Sequence, residues 1–405
     1  MAELGWIDFS PAHRRRVGAI LQALGEQGMV DELGIGIVRD ALADEMLPGI
    51  STIQTRAKYF FLVPYLLYDY QLLSAVKRAK HSPEEFMEKR ENEVMWDLGD
   101  KYEHKENTGV IGITKQRGQK IVRRPSAVYW NGLGFYGFIR NGGLGVDTFL
   151  QQCRFSSESL RADVDGDDTP KDLVDAEHEN VFKLHLAYDK TWKDSLTMDL
   201  KPEEAKQLAD RMRQYGENML VGELITNQKL RELFISTGSF SDFARAAQKL
   251  ETHQAIKQIL IIAHDFSELM CGAHIAYNCQ VQAIKFKKPH YKSNWENWAK
   301  SLKTTMLDYD GFTPEKIFSH APNIRVHTRR FVADWWNYIK SEKLDTSRRD
   351  ALIAAQERRN KKGRARIYGK RIDDVHEEKW IGLGHLEYRK PQAARILKDI
   401  FEGRR

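Results

Sequence analysis

The chain has 405 residues, 41% of them hydrophobic and 30% charged, which supplies a sizeable core, excludes a disordered chain and points to two or three domains. Its three cysteines, Cys153, Cys271 and Cys279, fit neither a disulfide framework nor a zinc ligand set, and the opening MAELGWIDFSPAHRRR carries no apolar leader, so a reduced, cytoplasmic protein is expected. Net charge is only +6, yet residues 321–405 hold 22 Lys and Arg against 12 Asp and Glu, an asymmetry that points to a polyanionic partner for the C-terminal end.

In chain order, SPAHRRRVGAILQALGEQG reads as a helix with Ser10 as N-cap, Pro11 at the first helical position and Gly28 as its stop. DELGIGIVRDALADEML sets Leu33, Ile37, Leu42 and Met46 on one apolar side. Pro48 and Gly49 turn the chain, and Ser51 or Thr52 caps a helix that runs from STIQTRAKY into FFLVPYLLYDYQLLSAVKRAK, with a kink at Pro64. A second helix opening on Thr52, Gln54, Thr55, Arg56 and Lys58 has the shape of a helix-turn-helix reader, in which Arg56 and Lys58 would meet phosphates. The plainer alternative, favoured by the small number of polar residues, is a buried helix with polar caps.

GVIGITKQRGQKIVRR, residues 109–124, predicts a small β-hairpin around Gly118. Lys115, Arg117, Lys120, Arg123 and Arg124 would lay it against phosphates, unless it is a solvated surface hairpin. Gly132, Gly134 and Gly137 then have the G-x-G-x-x-G spacing of dinucleotide-binding turns. Only FIR follows before NGG, which leaves no room for the helix that would receive a pyrophosphate, so the glycines are read as close-packing positions under aromatic rings.

Residues 158–179 hold nine Asp and Glu against two Lys and Arg. DVDGDD departs from a calcium loop because Gly166 stands fourth and Val174 occupies the place of the bidentate glutamate, so the stretch is read as an acidic loop or linker. From 201 to 285 the pattern is helical, beginning at Pro202 with Glu203 and Glu204 in the first turn. Within a nearly all-round apolar stretch, His264 and Glu268 are one turn apart, a spacing that suits a metal pair but more often a simple hydrogen bond. The apolar runs YFFLVPYLLY and AIKQILIIAH fall short of the roughly 20 residues that cross a bilayer.

Trp295, Trp298, Phe331, Trp335, Trp336 and Tyr338 sit among cations and could stack bases, but their helical spacing favours core positions. His290 and Lys292 start a phospholipase-D-like box that fails at Asn297 and has no second copy. SRRDALIAAQERRNKKGRARIYGKR, residues 347–371, is the densest basic stretch: ten Lys and Arg face only Asp350 and Glu357. If half of these cations met phosphates, log affinity would fall with log salt at a slope of about −4 to −5. The residues singled out here are Arg358, Arg359, Lys361, Lys362, Arg364 and Arg366. QAARILKDIFEG closes the chain on an apolar face of Ala393, Ile396, Leu397 and Ile400.

No G-x-S-x-G, Walker A, H-E-x-x-H or C-x-x-C motif occurs. A metal-dependent nuclease site, two carboxylates and a lysine at loose spacing, could be drawn from Asp175, Glu177, Glu179 and Lys183, though any chain this acidic offers such sets.

The blocks GWIDFS…DELGIGIVRDALADEMLPGISTIQTRAKYFFLVPYLL, RRPSAVYW and RARIYGKR…WIGLG…YRKPQAARILKDIFEG resemble an uncharacterised bacterial domain-of-unknown-function family over most of the chain. The resemblance implies an accessory gene of mobile or antiphage defence loci, near helicases or nucleases, and carries no catalytic residues across.

The expectation is a mainly α, multi-helical protein with one small β-hairpin and no Rossmann or P-loop core. Its blocks would be 1–157 (helical, with the reader-like segment and hairpin), 158–180 (acidic linker), 181–345 (helical core) and 346–405 (basic segment and closing helix). It would serve as a non-catalytic nucleic-acid-binding subunit or sensor in antiphage defence. DNA is expected over RNA, with a helicase or nuclease partner and with no cofactor, metal or membrane. The alternatives are the metal-dependent nuclease and a scaffold that docks an acidic protein.

Overall fold

A computed structural model describes residues 31–140, 143–152 and 191–404. Fifteen α-helices lie wholly within those residues, and no strand does. They are α1 (Gly36–Met46), α2 (Tyr59–Gln71), α3 (Ala75–Lys80), α4 (Pro83–Lys101) and α5 (Pro125–Phe135), then α6 (Pro202–Tyr215), α7 (Leu220–Thr226), α8 (Gln228–Ser236) and α9 (Phe240–Ala247). The remainder are α10 (Gln254–Phe286), α11 (Lys292–Thr305), α12 (Pro314–His320), α13 (Val326–Ile339), α14 (Thr346–Lys361) and α15 (Lys390–Gly403). The helix expected at 10–28 and the acidic segment 158–180 fall outside the described residues.

The chain forms two compact units, each made of two separate stretches. Unit 1 combines the described residues up to Ala41 with Ile261–Leu386, and unit 2 combines Leu42–Leu260 with the chain from Glu387 on. The four consecutive blocks read from the sequence do not follow this division.

In unit 2 the near-uniformly apolar α2 packs against α4 and α5, with Phe60 and Tyr129 in an edge contact at 5.2 Å. Gly132 lets this happen: a Cβ there would lie 2.4 Å from the Gly49 carbonyl oxygen. The glycine-rich stretch is therefore the end of α5 and its exit, not a strand-to-helix turn. At the other side of unit 2, α15 packs against α6 and α8 through buried Ala393, Ile396, Leu397 and Ile400.

Two sequence expectations fail in unit 2. Residues 109–124 form a series of turns rather than a hairpin. Their groups are satisfied by the polar face of α4: Asn92 accepts the Ile121 N–H at 2.9 Å, the Gln119 carbonyl accepts from Trp96, and Arg117 pairs with Asp97 at 2.6 Å and Asp100 at 2.9 Å. Lys120 pairs with Glu88. With side chains taking these bonds and charges, no strand ladder forms.

The stretch 51–58 is likewise not the start of a helix; α2 begins at Tyr59. The Tyr129 hydroxyl accepts from the N–H groups of Thr55 and Arg56 and donates to the Arg56 carbonyl, all within 3.0 Å. The Asp399 carboxylate takes the Ala57 N–H at 2.8 Å. Distant side chains hold this segment as a loop.

In unit 1 the long helix α10, from Ile261 on, supplies the centre. It is long and apolar enough to cross a membrane, contrary to expectation, but 89% of its most apolar window is buried inside the protein, as in a core helix. The indoles of Trp298 and Trp335 donate to the Glu268 and Leu269 carbonyls at 3.1 Å. Buried polar residues on α10 hold the segment 376–386 by its backbone. Gln282 donates to the His376 carbonyl at 2.9 Å, Asn278 bonds both backbone groups of Ile381, and Ser267 accepts the Leu386 N–H at 2.8 Å. The aromatic stripe of α11 and α13 is core: Trp295, Trp298, Phe331, Trp335, Trp336 and Tyr338 are all buried.

Candidate nucleic-acid interface

The densest basic stretch is sorted by two buried carboxylates. Helix α14 starts at the Asp345 cap, whose side chain accepts the Arg348 N–H at 2.7 Å, and buries Ile353, Ala354, Gln356 and Glu357. Glu357 is fully buried near the end of α14. It accepts the Tyr277 hydroxyl at 2.8 Å, the Arg366 N–H at 2.8 Å and the Ile367 N–H at 3.0 Å. Glu32, also fully buried, faces Arg366 at 2.7 Å and Lys361 at 3.5 Å. Buried carboxylate oxygens need partners, and together these contacts fold residues 361–367 back against α14.

This divides the expected binding residues. Lys361 and Arg366 face inward and hold Glu32. Arg349 is buried and pairs with Asp350 at 2.7 Å, Arg348 lies over the Tyr338 ring, and Arg371 pairs with Asp374 at 3.2 Å. Arg358, Arg359, Lys362 and Arg364 are exposed, and among the described residues their side chains make no ion pair and no hydrogen bond. Arg325, at the start of α13, is a further exposed cation of unit 1. Burial, followed by the charges of Arg325 and Arg359, lowers the His327 pKa, which places both guanidinium groups near that ring.

The expected binding residues of unit 2 are differently placed. Lys58 is buried with both Glu204 oxygens at 2.7 Å, and burial lowers its pKa against the pull of that carboxylate. Arg56 pairs with Asp399 and Asp199, each at 2.9 Å. Arg124 lies 3.5 Å from Asp147 and 4.0 Å from Glu91. Arg123 is exposed. Lys58 and Arg56 are thus occupied by internal partners, and the reader-like segment does not present them to a ligand.

The His264 and Glu268 pair belongs to a longer chain of polar contacts in unit 1. The His264 Nδ1 meets Asp265 at 2.8 Å, and its Nε2 is 3.9 Å from Glu268. Glu268 is 3.6 Å from the His385 Nδ1, whose Nε2 is 3.5 Å from the Cys271 sulfur. Asp265 accepts the N–H groups of Leu307 and Asp308 at 2.7 and 2.8 Å, which anchors the end of α11. Burial, with the Glu268 charge adding, pushes the Cys271 thiol up to about 12, so it stays a protonated thiol rather than a nucleophilic thiolate. Among the described residues no group of three or more His, Cys, Asp or Glu side chains is placed to hold a metal ion. The pieces of a nuclease site at Asp175, Glu177, Glu179 and Lys183 lie outside the described residues.

Sequence reasoning missed Glu32 and His385 as members of these arrangements. Glu357 left a trace, as one of only two acids inside a run of ten cations. No curated protein and no solved structure matches the chain. Residues 1–403 match the model of DUF6361, a family of unknown function, and the chain belongs to that family.

Proposed function

We propose that the protein binds nucleic acid through the exposed end of α14 in unit 1, as a non-catalytic subunit or sensor. The observation that carries this reading is the sorting of charges around Glu32 and Glu357. Cations needed for folding are paired inside, whereas Arg358, Arg359, Lys362 and Arg364 are exposed and, among the described residues, make no ion pair or hydrogen bond; Arg325 and Arg359 both lie near His327. Unpaired cations at a helix end and in the short 3-10 turn that follows it suit a phosphate backbone, which takes charge without demanding sequence. The setting implied by the resemblance, an antiphage defence locus with a separately encoded helicase or nuclease, belongs to the same proposal.

The test is fluorescence anisotropy of duplex DNA, single-stranded DNA and RNA across a salt series, with and without magnesium. If the four free cations each meet one phosphate, log affinity falls with log salt at a slope of about −3 to −4. Changing Arg358, Arg359, Lys362 and Arg364 to Ala should flatten that slope and weaken every probe together. Cleavage that requires magnesium would replace this reading with the nuclease. Absence of binding to all three probes would reject it and leave an acidic protein partner as the ligand of this face.

A further inference from the structure

We infer that the ligand of this face is single-stranded nucleic acid and that Tyr368 stacks on one of its bases; the inference rests on the nucleic-acid reading above. Among the described residues of unit 1, Ile37, Val326 and Tyr368 are the large apolar or aromatic side chains left exposed, and Tyr368 is the one ring. It is 71% exposed, whereas the aromatics of α11 and α13 are buried. Among the described residues its ring meets no other ring or cation, and its hydroxyl makes no hydrogen bond.

The ring is exposed on a fixed support rather than on a loose loop. On either side of Arg366, Ala365 and Ile367 are buried, and the Arg366 and Ile367 N–H groups are held by Glu357. The Gly369 N–H then donates to the Arg366 carbonyl at 3.3 Å. A Cβ at Gly369 would fall 2.1 Å from the Ala365 carbonyl oxygen, so only glycine lets the chain close this tightly beneath Tyr368. An aromatic held in place loses little freedom on stacking, which favours binding.

Position supplies the rest. Tyr368 is four residues beyond Arg364, so their Cα atoms are at most about 14 Å apart, and Lys362 is only slightly further along the chain. A cation on the backbone and a ring on a base can therefore act on one short stretch of strand. Within a duplex each base face is already covered by its neighbours, whereas an unpaired strand offers its faces to an aromatic of any base identity. Duplex binding would use the cations and leave the ring idle.

The experiment compares Tyr368→Ala and Tyr368→Phe with the unaltered protein on three labelled probes: oligo-dT, oligo-U and the oligo-dT·oligo-dA duplex. Loss of one stacked base should weaken oligo-dT and oligo-U binding by about tenfold in Tyr368→Ala. Duplex affinity and the salt slope should stay unchanged, and Tyr368→Phe should bind as the unaltered protein does. Unchanged oligo-dT binding by Tyr368→Ala, an equal loss on strand and duplex, or a Phe variant as weak as the Ala variant would each overturn the inference. Failure of the underlying reading looks different: the unaltered protein binds none of the probes, or removing the four free cations changes nothing. Because Tyr368 is exposed and unpartnered, both variants should keep the unaltered melting temperature, which is measured alongside.

Discussion

Burial raises the Glu91 carboxyl from its ordinary 4.5 to about 7, despite hydrogen bonds from the Ser126 N–H and hydroxyl and the nearby Arg124. The folded protein therefore holds this proton to higher pH than the unfolded chain does. The stability associated with it is fully present below pH 4.5 and is lost as pH rises through about 7. Glu91→Gln should leave stability near pH 4 unchanged or slightly lower and raise it above pH 7 relative to the unaltered protein, by about 3 kcal/mol at most. Urea unfolding across that range checks the sign, and a variant no more stable at pH 8 than its parent would contradict it. At this scale the sequence was least informative. It exposed the density of cations at 347–371, but which of them remain free depends on Glu32, more than three hundred residues away along the chain. Charge counting treats Arg358 and Arg366 alike, whereas one is exposed and the other is held by a buried carboxylate.

At the scale of elements, the same contrast explains Arg56 and Lys58. The polar opening of a helix looked like a reading head, but the polar groups serve the loop that leads into α2. Lys58→Met would strand the buried Glu204 carboxylate, which also accepts from Lys201 and Tyr65. The expected loss is about 3–5 kcal/mol of stability, read by chemical denaturation. If nucleic-acid binding resides on the α14 face, the same variant, studied where it remains folded, should keep the affinity of the unaltered protein. Helices with strong local signals were legible from sequence: α6 begins at Pro202 with Glu203 and Glu204 in its first turn, as its composition implies. The turns at 109–124 were not. Isoleucines and cations spaced among glycines satisfy a strand pattern, yet Asn92, Trp96, Asp97 and Asp100 on α4 offered those residues nearer partners than a second strand could.

For the whole molecule, the closing helix is the informative part. Its apolar face was evident in the sequence, and Ala393, Ile396, Leu397 and Ile400 are buried as that pattern requires. What sequence order concealed is that the basic stretch and the helix following it belong to different units, because adjacency along the chain says nothing about which apolar faces meet. Ile396, Leu397 and Ile400 each contribute roughly 1.5–3 kcal/mol through burial against α6 and α8. A chain ended after Leu386 should therefore lose amide protection in α6 and α8 while α13 and α14 keep theirs, as hydrogen exchange would show. Protection retained in α6 and α8 would mean that unit 2 does not depend on its returning helix.

The same interleaving fixes an order of events during synthesis. After the short first stretch of unit 1, most of unit 2 leaves the ribosome, but it waits for α15 through the whole length of Ile261–Leu386. Unit 1 thus has all of its pieces before unit 2 does, although the larger of its two stretches is made after most of unit 2. At the usual rate of roughly 5–20 residues per second, the apolar faces that α15 will cover stand open for roughly 6–25 seconds on each nascent chain. That interval is a built-in exposure to chaperones, and crowding among growing chains would make aggregation most acute there.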